Sequence, residues 1–85
     1  MHDLYAAQDV LGAALKTAQQ KNLKKITKVV IDLGTIADHG DEITDSNLVY
    51  NFKLLAKSTI AADARIVINR IKGNSCILKE IEGNK

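Results

Sequence analysis

The chain has 85 residues, 46% of them hydrophobic, and 12 Lys and Arg against 10 Asp and Glu give it a net charge of +2. This length provides for one small domain over residues 1–85, and so small a charge excludes the concentrated basic surface that nucleic-acid binders use. No apolar run approaches the ~18–20 residues of a membrane span, and the N-terminus lacks the basic and apolar segments of a secretion signal. Cys76 is the single cysteine, which excludes an internal disulfide and a Cys-x-x-Cys zinc site. We therefore expect a cytoplasmic protein without a nucleic-acid or membrane partner.

The first residues, Met1-His2-Asp3, are metal-ligand types directly ahead of a predicted helix. The Met1 amine, the His2 amide nitrogen and the His2 ring nitrogen can form two fused chelate rings, a planar nitrogen-rich set that suits Ni(II) or Cu(II). The fourth position is left to the Asp3 carboxylate, to water or to a partner protein. Asp3 also suits the positive end of the helix dipole, worth about 0.3–1 kcal/mol, and by itself His2 is more often an ordinary exposed side chain. An ion held with an open position can be transferred, so this segment indicates metal carriage more than catalysis.

The first predicted helix covers residues 4–20. Apolar residues recur there at three- and four-residue spacing, which is typical of a helix with one buried face. We expect Gly12, which costs about 1 kcal/mol relative to alanine in a helix, to mark a close approach to a neighbouring element. The predicted buried stripe is Leu4, Ala7, Leu11, Ala14, Leu15 and Ala18.

A strand is predicted over residues 26–33, with Val29, Ile31 and Leu33 on its buried face. The segment 34–42 has a loop composition, and Thr44, Asp45 and Ser46 are each suitable N-caps for the second helix. The apolar stripe of that helix is Leu48, Phe52, Leu55 and Ala56.

Two further strands are predicted over residues 64–71 and 76–81, with Ile66 and Ile68 on one face of the first and Ile77 and Ile81 on one face of the second. The Gly73-Asn74 pair between them suits a two-residue hairpin loop. The order helix, strand, helix, strand, strand predicts an α+β two-layer domain, with two helices on one face of a small three-stranded sheet.

No catalytic constellation is visible. The chain has no Gly-rich phosphate loop and only two histidines, so we expect no enzyme activity. Cys76 is expected to be a half-buried apolar residue rather than a nucleophile or ligand. Four lysines, Lys21, Lys24, Lys25 and Lys28, are expected to form a solvated rim, with docking of an acidic partner as the alternative.

Four segments in order resemble the HypA/HybF family of nickel chaperones, which help to mature nickel-iron hydrogenase and, in some bacteria, urease. The Met1-His2-Asp3-Leu4 start is similar to the family's Met-His-Glu start, and residues 26–34 resemble its first strand and following glycine. Residues 52–64 are similar to its second helix end and the run into the next strand. Residues 72–75 and the strand after them look like its C-terminal return strand.

The departures from the family pattern are also informative. Family members carry a zinc domain with two Cys-x-x-Cys pairs between the second and third strands, where this chain has only the turn at 72–75. Thr35 replaces a usual Glu, whereas Asp3 keeps the carboxylate of another. No zinc is therefore expected, and both a natural short paralogue and an excised nickel-binding module fit these differences.

The resemblance implies Ni(II) bound transiently through Met1 and His2, with Asp3 in support. The family fold would also bring Asp38, His39 and Asp41 toward the N-terminus as supplementary ligands, although a solvated polar loop is the alternative. The implied partners are a nickel-insertion GTPase and a hydrogenase large subunit, docked on the exposed face of the first helix. A metal-free scaffold derived from the family is the competing interpretation. We expect a monomer, with a weak dimer through exposed strand edges as the alternative.

Overall fold

The computed structural model describes residues 3–34, 37–38 and 41–85, with backbone alone at positions 3, 37, 38, 41 and 42. The predicted order of helices and long strands is confirmed, and two short strands pair with each other inside the segment that was predicted to be a loop. The elements are α1 (Asp3–Gln20), β1 (Lys25–Leu33), β2 (Ala37–Asp38), β3 (Asp41–Glu42), α2 (Asp45–Ala56), β4 (Arg65–Arg70) and β5 (Cys76–Asn84).

The main sheet has the order β4-β1-β5, so β1 lies in the centre. It pairs with β4 in parallel and with β5 antiparallel. The predicted hairpin between the last two strands is therefore wrong, because residues 71–75 carry the chain across the end of β1. Two strand spacings are about 10 Å, and five extended residues reach about 17 Å, so a connection this short suffices. Hydrogen bonds to the end of β1 fix it: the Ile71 N–H donates to Leu33 O (3.1 Å) and the Gly34 N–H donates to Ser75 O (2.7 Å).

Both helices pack against the inward face of the sheet and form one core with it. The predicted inward residues of β1, Val29, Ile31 and Leu33, are fully buried, and Ile66 and Ile68 pack against them from β4. In α2 the predicted stripe is confirmed, with Leu55 half-buried. The fully or nearly fully buried helix residues are Ala6, Ala7, Val10, Leu11, Ala14 and Ala18 in α1 and Leu48, Phe52 and Ala56 in α2.

Two expectations for α1 are wrong. Leu4 is 45% exposed, because the buried stripe begins at Ala6 and continues through Val10. Gly12 is exposed, and a Cβ built on it meets nothing within 4 Å. Gly12 therefore does not mark a close approach to a neighbouring element.

A bulge in β5 determines which of its residues face the core. Between Val30 and Ile31 the pairing on β5 moves from Glu80 to Leu78 and skips Lys79. Because one extra residue reverses the alternation of side chains, Ile81 is buried while Ile77 is 51% exposed. The prediction that these two residues share a face is wrong for this reason.

The helix ends follow capping chemistry. Asn22 adopts a positive φ of 59° after α1, where the Leu23 N–H donates to Ala18 O (2.9 Å), a Schellman termination. At α2 the structure selects Thr44 among the three candidate N-caps, since its Oγ1 accepts a hydrogen bond from the Asn47 N–H (3.2 Å).

Both helices begin at the same end of the sheet. The chain leaves α1 at the start of β1, where the Lys24 N–H donates to Asn84 O (2.7 Å), and it leaves α2 near the same strand start, where the Ile26 N–H donates to Ile60 O (3.0 Å). The helix starts consequently lie at the opposite end, where β1 and β4 finish and β5 begins. We call this the loop end: the first turns of α1 and α2, residues 34, 37–38 and 41–43, and residues 71–75.

Gly34 is required by the crossing of the chain over β1. A Cβ at this position would overlap the carbonyl oxygen of Gly73 and lie 2.8 Å from its carbon. Gly73 itself has a φ of 108°, which side chains rarely adopt. The two glycines thus allow two stretches of backbone to touch at the loop end.

We predict that Gly34→Ala destabilises the fold by about 1–3 kcal/mol, because the turn backbone must shift away from the new methyl group. Gly12→Ala is the matched control, since both changes restrict the unfolded chain equally. It should stabilise by about 0.5–1 kcal/mol. Urea unfolding of both variants measures these differences, and equal effects at the two positions would contradict the close contact at Gly34.

Candidate nickel-binding end of the domain

The predicted ligand residues are concentrated in positions whose side chains lie outside the described part of the chain. Met1, His2 and His39 are not described, and Asp3, Asp38 and Asp41 are described by backbone alone. Their ligand roles therefore stay predictions. The described backbone shows that α1 begins at Asp3, immediately after His2.

The described backbone also shows which segments share the loop end. The helix α1 runs antiparallel to β1, and Asp9, Val10 and Ala13 of α1 line one cleft together with Cys76, the first residue of β5. Cys76 pairs with Leu33 at the end of β1. The first turn of α1 and the β2-β3 pair, which begins three positions after Gly34, consequently belong to the same end of the domain.

Arg70, the last residue of β4, joins three parts of the loop end. One guanidinium nitrogen donates to the carbonyl oxygen of Gly34 (3.3 Å), and another donates to that of Ile43 (3.3 Å). The second nitrogen also lies 2.8 Å from Oδ1 of Asp45, the first residue of α2. Sequence reasoning missed this residue, because a single arginine at a strand end gives no periodic or motif signal. Its partners are 25 to 36 positions away and become neighbours only through the parallel pairing of β1 and β4.

No three carboxylate, imidazole or thiol groups that could hold a metal ion come together among the described side chains. Likewise, neither α1 nor α2, the helices of the described ranges, is long and apolar enough to cross a bilayer.

The lysines predicted to form a rim lie mainly at the opposite end of the sheet, where α1 ends and β1 begins. Lys21, Lys24 and Lys25 are exposed. Lys25 Nζ lies 3.7 Å from Asp63, and Lys28 Nζ lies 3.4 Å from Glu82. These ion pairs are solvated, so each contributes at most about 1 kcal/mol.

Cys76 lies in an open cleft of about 440 Å³ between α1 and β5. The thiol is half-buried, and burial raises its pKa, with the Asp9 carboxylate raising it further. A raised pKa keeps the thiol protonated, and a thiol is a poor nucleophile and a poor metal ligand. The local chemistry thus agrees with the prediction of an apolar packing role. The cleft is lined by Asp9, Val10, Ala13, Thr17, Cys76, Ile77 and Leu78.

Comparison with known proteins decides the family. A family model described as "Hydrogenase/urease nickel incorporation, metallochaperone, hypA" matches residues 1–77, from Met1 into β5. The chain belongs to the HypA family. The family resemblance of the four sequence segments is thereby confirmed.

Named HypA proteins align with most of this chain. "Hydrogenase maturation factor HypA" of Methanobrevibacter smithii is 34% identical over 71 residues, which are 84% of this chain and 54% of that protein. The protein of the same name from Methanocella arvoryzae is 25% identical over 68 residues, 80% of this chain and 57% of its own. This chain therefore spans little more than half the length of these HypA relatives.

The HypA fold is also shared with a solved structure. The solution structure of the Ni metallochaperone HypA from Helicobacter pylori superposes with a TM-score of 0.81, covering 99% of this chain and 98% of that chain at 16% identity. At such low identity the superposition shows the fold alone. It agrees with the two-helix, three-strand α+β architecture.

We predict that Cys76 reacts with iodoacetamide more slowly in the native protein than in urea at the same pH, because its raised pKa lowers the thiolate fraction. Asp9→Asn should speed the native reaction while leaving it slower than in urea, since burial is the larger cause. Because the native pKa of Cys76 is the higher one, its contribution to the free energy of unfolding is fully present below the pKa of the unfolded thiol. That contribution is lost as the pH rises through the native pKa. A native thiol that reacts as fast as the unfolded one would contradict the raised pKa of Cys76.

Proposed function

We propose that this chain is the nickel-carrying module of a HypA-type metallochaperone, which binds Ni(II) through Met1 and His2, supported by Asp3, and releases it for maturation of nickel-iron hydrogenase or urease. The observation that carries the proposal is the family match, which begins at Met1 and runs through 77 residues. Among the named relatives, the hydrogenase maturation factor of Methanobrevibacter smithii supports the hydrogenase assignment.

The start of α1 at Asp3 suits the proposed chelate. Backbone N–H groups at the beginning of an α-helix have no intrahelical acceptor, so ligation by the His2 amide nitrogen breaks no helical hydrogen bond. Beyond Asp3 the rigid helix limits the number of arrangements that the ligands adopt. The set of amine, amide and imidazole nitrogens matches the square-planar preference of Ni(II). The proposal requires a Met1 amine that is not acylated.

The loop end would supply the remaining coordination positions of the nickel ion. Asp38, His39 and Asp41 belong to or lie between β2 and β3, which follow the end of β1. Since the first turn of α1 belongs to the same end, one of these side chains is proposed to complete or assist the nickel site. Water or a partner's ligand takes that place during transfer.

The module is proposed to act as a carrier in the cytoplasm and not as an enzyme. A nickel-insertion GTPase or a hydrogenase large subunit would receive the ion by docking on the exposed face of α1. One cysteine among 85 residues does not provide the thiolates of a Cys-rich zinc site, so zinc is not expected as a structural metal. A monomer is the proposed state.

A metal-free scaffold is the second candidate. It is favoured by the turn at 71–75, which directly connects β4 to β5, and by an aligned length of only 54% of the Methanobrevibacter smithii relative. A scaffold would keep the α+β domain for binding a maturation partner after losing metal transport. Its partner binding would survive His2→Ala.

We predict that untagged protein beginning at Met1 binds one Ni(II) with a Kd of about 1 μM or tighter, and that His2→Ala abolishes this binding by removing the imidazole and opening a chelate ring. His39→Ala is the matched control, because it removes the other of the two imidazoles, and it should weaken binding far less. Calorimetry with Zn(II) as a competitor measures the three affinities.

An added residue ahead of Met1 should also weaken nickel binding sharply, because the terminal amine becomes an amide. Binding that is indifferent to both His2 and the extension would contradict the proposed ligand set. Absence of nickel binding would favour the scaffold and direct the search to its protein partner.

A further inference from the structure

Arg70 connects the two ends of the segment that holds the proposed supplementary ligands. Its guanidinium donates to Gly34 O, one residue before positions 35–42, and to Ile43 O, one residue after them, each at 3.3 Å. Both acceptors are themselves fixed. Gly34 is hydrogen-bonded to the 71–75 turn, and Ile43 is buried in the core.

The position of this cation is not explained by the helix dipole. Asp45 is the first residue of α2, so Arg70 lies at the positive end of that helix, where the helix dipole disfavours a cation. The Asp45 carboxylate at 2.8 Å offsets this repulsion and orients the guanidinium. Besides this ion pair, the guanidinium binds two carbonyl oxygens that lie on either side of one segment.

The planar donor geometry of an arginine suits this arrangement. The guanidinium offers five N–H donors in a planar fork, whereas a lysine has one compact ammonium. A lysine at position 70 preserves the charge but cannot span both carbonyl oxygens and the carboxylate with the same geometry.

We propose that Arg70 is a positioning residue for the nickel site: by joining Gly34 and Ile43, which flank positions 35–42, it restricts the β2-β3 backbone that bears the proposed ligands Asp38 and Asp41. The inference rests on the proposed nickel function, because it assigns that segment a part in holding the ion. The contacts that carry this role are the hydrogen bonds of Arg70 to the carbonyl oxygens of Gly34 and Ile43.

The test compares Arg70→Ala with Arg65→Ala, the exposed arginine at the other end of the same strand. Arg70→Ala should increase amide hydrogen exchange at Ala37, Asp38, Asp41 and Glu42 by about tenfold or more. Without the Arg70 hydrogen bonds, the free energy of local opening is lower. Exchange within β1 should stay unchanged.

Nickel affinity provides the second readout. Arg70→Ala should weaken Ni(II) binding by about 10-fold, the lower range for residues that orient metal ligands, and Arg70→Lys should recover only part of the loss. Arg65→Ala should match the wild type in both readouts. Far-ultraviolet circular dichroism and urea unfolding identify any variant that has lost its fold, in which case Asp45→Asn, which removes one partner of Arg70, replaces it in both assays.

Two results would overturn the inference. One is exchange in segment 35–42 that equals the Arg65→Ala control, and the other is faster exchange with unchanged nickel affinity. If the wild-type chain binds no nickel, the proposed function and the positioning role both fall. Unchanged affinity in the variant of a nickel-binding wild type overturns the positioning role alone.

Discussion

The hydrogen bonding of β1 along both of its edges is the constraint from which the rest of the structure follows. With β4 parallel on one side and β5 antiparallel on the other, the chain must cross the end of β1 between them. That crossing takes only residues 71–75 and brings the backbone of Gly73 against Gly34. The parallel pair also requires a helical connection, α2, that returns the chain to the start of the sheet. The loop end is thus a product of strand order.

The pairing of β1 also determines where the proposed ligand residues and Arg70 lie. Because α1 runs antiparallel to β1, its first turn lies where β1 ends and the β2-β3 pair begins. Arg70 reaches this region only because β4 is parallel to β1 and finishes beside Leu33. The opposite end of the sheet carries the exposed lysines Lys21, Lys24 and Lys25. One end of this HypA-family domain therefore holds the proposed nickel ligands, and the other holds solvated charge.

The sequence predicted the element order, the inward faces of β1 and α2 and the likeness to HypA, because these depend on local periodicity and on short motifs. It failed where distant segments decide the outcome. The hairpin assigned to Gly73 and Asn74 became a crossing because β1 competes for the edge of β5. The face of Ile77 changed because a bulge at Lys79 has no local signal. The ligand roles of Met1, His2 and Asp3 were expected from chelate chemistry and family resemblance, whereas Arg70 acquires its partners only in the folded chain.

Nickel is proposed to bind at the loop end. The most direct measurement is an amide NMR titration with Ni(II), since the chain has no proline and nearly every residue reports. We expect the shifted or broadened signals to be confined to the first turn of α1 and residues 34–43, with the signals of Leu23, Lys25 and Asn84 unchanged at the other end. Changes centred on Cys76 or on the lysine-bearing end, or spread evenly over the sheet, would contradict nickel binding at the loop end.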